Sequence, residues 1–150
     1  MTTFRFRLEK VLAWRRTQAE LAEMEFRREA AALAALDQAS DELEARGIQT
    51  EAEVRHWSPL EGSDLAALGA FRRSVERQTK DLAARRTEQT KKLAEREQAM
   101  VEARRRCRLL ERLRERRLAE WKSESDRELE QAAAESYLAR LARESSIMKE

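Results

Sequence analysis

One hundred and fifty residues would suffice for an ordinary domain, but charged residues make up 40% of this chain and aromatic residues only 5%. That balance excludes a large globular core. Ala, Leu, Glu and Arg dominate as in long helices, and a net charge of only +2 with patterned apolar residues argues against disorder.

The first predicted element is a helix over about 4–46, a stretch without glycine or proline whose apolar positions recur in alternating steps of three and four. One series is Leu12, Ala19, Phe26, Leu33 and Ser40; its companion is Leu8, Arg15, Ala22, Glu29, Leu36 and Leu43. Such a narrow seam is stable only against a partner. Gly47 stands where a left-handed C-cap is expected, and Pro59, Gly62 and the polar run Glu61 to Asp64 mark a tip over about 47–63. Ser63 or Asp64 is positioned to cap a second helix over about 64–145. From residue 70 to 150 the chain has 81 consecutive residues without glycine or proline. Leu68, Val75 and Leu82 carry one seam series here, and Leu65, Leu93, Met100, Cys107 and Trp121 the other, with polar breaks at Arg72, Thr79, Arg86, Gln89 and Arg96.

The expected fold is therefore all-α, a single long antiparallel two-helix coiled-coil hairpin with a longer C-terminal helix. A tip near residue 55 sets Leu43 opposite Leu68 and Leu8 near Ala103. Helix one then runs out near residue 107, and the remaining part of helix two displays Leu109, Leu110, Leu113, Leu118, Trp121, Leu129, Tyr137, Leu138 and Leu141 without an intramolecular partner. Another protein, or a second copy, is expected to cover them, or else the stretch frays when free.

Charge is segregated along the chain. Residues 37–64 carry eight acids and two bases, whereas residues 85–117 carry thirteen bases and six acids. Arg104, Arg108, Arg112 and Arg116 follow at four-residue steps, stacking like charges on one helix face. The antiparallel neighbour contributes Arg5, Arg7, Lys10, Arg15 and Arg16, so an acidic outside partner suits this stripe better; a solvated face softened by Glu102, Glu111 and Glu115 is the alternative.

Motifs for chemistry are absent from the sequence. Gly47, Gly62 and Gly69 form no phosphate-binding loop, so no nucleotide cofactor is expected. A single histidine, His56, and a single cysteine, Cys107, supply no zinc set, disulfide or nucleophile with its base and orienter. Neither a catalytic residue nor a metal ligand is expected, and the chain is read as non-enzymatic. Specific nucleic-acid binding is not expected either, because acids interrupt the arginine-rich segment and no aromatics are placed for base stacking. Without a membrane-length apolar run or a signal-peptide core, a soluble cytoplasmic protein is expected.

The opening Phe4-Arg5-Phe6-Arg7-Leu8-Glu9-Lys10-Val11-Leu12, followed by Arg15 and Glu20, resembles the N-terminus of the FliJ family of bacterial flagellar export proteins. Chain length, a two-helix hairpin with a longer second helix and basic character are similar to that family over essentially the whole chain. The resemblance implies a stalk of the flagellar type III export apparatus at the cytoplasmic face of the basal body, with no enzymatic activity of its own. It implies as partners the export ATPase FliI with its regulator FliH, the export gate FlhA and export chaperones, with the chain acting as a monomeric stalk peripheral to the membrane. The paired helix ends would meet the ATPase, through Leu8, Leu113, Leu118, Trp121, Arg104, Arg108, Arg112 and Arg116. The gate surface carries over to Phe71 and Val75 by type and spacing, with Gln78 and Leu82 on the next turns differing in type. The corresponding face of helix one, Leu36, Ser40 and Leu43, lacks the tyrosines of some members. The equivalent stalk of a virulence secretion system and an unrelated self-associating scaffold are the alternatives.

Overall fold

The computed structural model describes residues 3–149, and these form two long helices that pack against each other, α1 (Glu9–Arg55) and α2 (Gly62–Ile147). The described residues contain no strand. Both predicted seam series of α1 are present. From Leu12 to Leu43 every residue of the two series is buried or half-buried, while the positions between are mostly exposed. The seam then runs on through Gly47, Thr50 and Val54, which keep the same steps of three and four.

This continuation explains why the expected stop at Gly47 is not there. Gly47 lies inside α1 without a positive φ, and a Cβ built on it would meet Val75 Cγ1 at 3.8 Å. The glycine is a seam residue rather than a C-cap, and the connection shrinks from the expected 47–63 to His56–Glu61. α1 closes with tightened turns in which His56 N–H and Trp57 N–H donate to the carbonyls of Glu53 and Val54, both at 3.1 Å. His56 Nδ1 lies 2.9 Å from the Ala52 carbonyl, satisfying one of the last acceptors of the helix. α2 starts at Gly62, two residues ahead of the expected start, because Glu61 and not Ser63 or Asp64 is its N-cap. Asp64 reaches back to accept from Glu61 N–H at 3.0 Å, the reciprocal half of a capping box.

A later tip shifts the register. Leu43 shares a groove with Leu82 rather than facing Leu68, and Gly47 faces Val75. Leu8 lines a groove with Leu113 and Trp121 instead of lying near Ala103. At the other end α1 begins at Glu9, not at Phe4. Residues 3–6 have no regular secondary structure, and Phe4 and Phe6 are half-buried with Arg5 exposed between them. A helix would turn these two rings well apart, so leaving the helical pattern lets both lie against the rest of the unit.

The chain packs as two units, Gln18–Ala103 and a second unit of the residues up to Thr17 with those from Arg104 onward. In the first, Leu43, Val54 and Met100 are buried, and Arg72–Glu51 (2.7 Å), Arg86–Asp37 (2.6 Å) and Arg96–Glu25 (2.8 Å) bridge the helices. Gln89, one of the expected polar breaks, donates Nε2 to the Glu29 side chain and, at 3.1 Å, to the Glu29 carbonyl. A half-buried polar pair of this kind fixes register, because sliding the helices would strand both groups. In the second unit Leu12 is fully buried and Cys107 nearly so, flanked by Arg16–Glu111 (3.3 Å) and Arg114–Glu9 (3.0 Å). No helix of the described residues is long and apolar enough to cross a membrane.

Candidate partner-binding surfaces

The richest local geometry lies in the second unit, where the non-helical N-terminal residues meet α2. The Phe4 ring packs on Trp121 with centroids 6.0 Å apart at 53°, and the Arg114 guanidinium sits 5.9 Å from the Phe4 centroid. Both geometries fall within the favourable ranges for tilted aromatic pairs and cation–π contacts. Arg114 also donates to Glu9, so one side chain ties the start of α1 to the Phe4 ring. Residues 3–8 with Leu113, Arg117, Glu120, Trp121 and Glu124 enclose an open groove of about 800 Å³. Its lining mixes apolar side chains with charges of both signs, which suits a protein segment better than a small apolar ligand.

Of the residues that the resemblance assigned to an ATPase surface, Leu8, Leu113 and Trp121 come together in this groove, and Leu118 is half-buried beyond them. Arg104, Arg108, Arg112 and Arg116 are all exposed along α2. The pairing reaches Trp121 and Ser125, so the stretch without an intramolecular partner is shorter than the expected one that began after residue 107. Every residue from 126 to 149 is exposed, including Leu129, Tyr137, Leu138 and Leu141. Leu110, Leu113, Leu118 and Trp121, expected to be uncovered, are half-buried.

The residues assigned to a gate surface lie in the Gln18–Ala103 unit. Phe71 and Val75 are half-buried at seam spacing, Val75 facing Gly47, and Leu82 lies in a groove of about 300 Å³ with Leu43. Gln78 is exposed and donates to Ser74 Oγ at 3.1 Å. Three of the four thus serve the α1–α2 packing, and each leaves only an edge for contact with another protein. On α1, Leu36 and Ser40 are half-buried and Leu43 is buried.

Two surfaces were not among the expected sites. Trp14 is 53% exposed with the Arg15 guanidinium 4.7 Å from its centroid, on the outside of α1. At the tip, Trp57 and His56 border a shallow recess with Gln49, Ala52 and Glu53, and Ile48, Leu60 and Leu65 are exposed nearby in sequence. A tryptophan within an acidic, turn-rich stretch is the signal that could have marked this tip. Among the described residues no group of three or more His, Cys, Asp or Glu side chains is placed to hold a metal ion. Comparison with protein-family models, with curated proteins and with solved structures finds no match for this chain.

Proposed function

We propose that this chain is a non-enzymatic helical stalk that couples an export ATPase to an export gate in a bacterial flagellar type III apparatus. The observation that carries the reading is the run 126–149, helical to Ile147, which displays Leu129, Tyr137, Leu138 and Leu141 to solvent beside the arginine-rich part of α2. A solvated helix gains nothing from such residues, and a partner with an apolar, acidic surface supplies what they lack. The Phe4-x-Phe6-x-Leu8 motif, on which the resemblance to the FliJ family rests, lines the groove with Trp121, which supports assigning that end to the ATPase, FliI, together with FliH. Phe71, Val75, Gln78 and Leu82 are assigned to the gate, FlhA, and export chaperones are further partners. The chain would work at the cytoplasmic face of the basal body, through shape and side-chain contact.

The test is a pull-down of the cognate ATPase and gate protein with the intact chain and with two variants, Leu138→Ala/Leu141→Ala and Phe71→Ala/Val75→Ala. The first variant is expected to lose the ATPase and the second the gate, each keeping the other partner. An intact chain that captures neither protein ends this reading.

A further inference from the structure

A continuous stripe on the exposed side of α2 is made of Arg108, Arg112, Glu115, Ala119, Lys122, Asp126 and Glu130. The steps between them are of three and four residues, so they follow one helix face, and all seven are exposed. They lie off the packed side of α2, where Cys107, Leu110, Arg114, Leu118 and Trp121 are buried or half-buried. Elsewhere the helix finds counter-charges on α1, as in Arg16–Glu111 and Arg114–Glu9. The six charged residues of the stripe make no ion pair with any described residue.

The order of charges along this face is positive, positive, negative, alanine, positive, negative, negative. Turned end for end about Ala119, that order becomes its own complement. Arg108 meets Glu130, Arg112 meets Asp126, and Glu115 comes level with Lys122 to within one residue. Ala119 at the centre lets two backbones approach closely. We infer that a second copy of this chain docks here, its α2 antiparallel to the first across a two-fold axis at Ala119. A two-fold contact is isologous, so each of the three pairings occurs twice, and a face of mirrored opposite charge is the pattern such a contact requires. An unrelated acidic partner would account for the arginines but not for Asp126 and Glu130 at the mirrored positions. This inference stands apart from the proposed coupling function, though a second copy and an ATPase would compete for Arg108 and Arg112.

Because the pairs are solvent-exposed, the association is weak and salt-sensitive. Sedimentation equilibrium of the full chain tests it, with circular dichroism as a check that each variant keeps its helices. At ~20 mM salt the chain is expected to dimerise, and at ~1 M salt to lose at least roughly tenfold in association constant. R108E/R112E alone and D126R/E130R alone are each expected to be monomeric, since each presents four like charges to its own copy. Mixed in equal amounts, these two variants should form a heterodimer, and the fourfold variant R108E/R112E/D126R/E130R should dimerise as the native chain does. A native chain that stays monomeric at low salt overturns the inference. So does a dimer indifferent to either double variant, or a fourfold variant that stays monomeric while helical.

Discussion

One helix, α2, passes through two environments without changing its composition much. From Arg104 to Ser125 it keeps a packed side against the start of the chain, with Cys107 buried and Trp121 covered by Phe4. From 126 to 149 it keeps none. The same alanine, glutamate, arginine and leucine vocabulary serves both stretches, so composition sets helicity, while the partner across the seam sets which leucines are buried. Stability in this molecule is therefore expected to be concentrated where two helices meet and to be nearly absent where one continues alone.

The largest effect should come from breaking the packed side. Among the described residues Leu12 is the one fully buried large side chain, and Leu12→Ala is expected to cost about 2–5 kcal/mol, read as a lowered midpoint in urea unfolding followed by circular dichroism. Next, Gln89→Ala leaves the part-buried Glu29 carboxylate without its side-chain donor and should cost about 1–3 kcal/mol in the same assay. Replacing both residues by leucine should recover that loss or exceed it, at the expense of register specificity. Gly47→Ala runs the other way. Its new Cβ would make an ordinary contact with Val75, and the gain in helix propensity is expected to stabilise by about 1 kcal/mol, raising the thermal midpoint. The smallest effect belongs to the uncovered stretch. Leu138→Ala is 63% exposed in its starting form and should change global stability by no more than about 0.5 kcal/mol, and amide exchange there should be fast beside that around Leu12. A large loss from Leu138→Ala would erase the contrast between the two stretches.

The helical class and the α1 seam were legible because steps of three and four over many turns are a strong signal, and Leu12, Phe26, Leu36 and Leu43 lie where that signal puts them. The register was not, and the cause is one residue. Gly47 carries a C-cap's composition, but Thr50 and Val54 continue its heptad, and the continuing period outweighs the glycine. On α2 the period also slips, with two steps of four about Arg114 and Leu118, so a strict heptad misplaces the half-buried side locally. The groove at Phe4 was hidden for another reason. It depends on a segment that leaves the helical pattern, and the steps that reveal helices carry no information about what a non-helical end lies upon. Phe71 and Val75 show the converse limit, since by spacing alone a seam residue and a contact residue read alike.

Cys107 adds a consequence of a different kind. It is the sole cysteine, it is 8% exposed, and its Sγ lies 3.7 Å from a Glu111 carboxylate oxygen. A maleimide or disulfide reagent can reach it only when α1 and α2 part at that point. The rate of thiol labelling is thus a native clock for local opening, available without introducing any probe. Run beside a bound partner, it reports whether engagement tightens this end of the molecule or prises it apart.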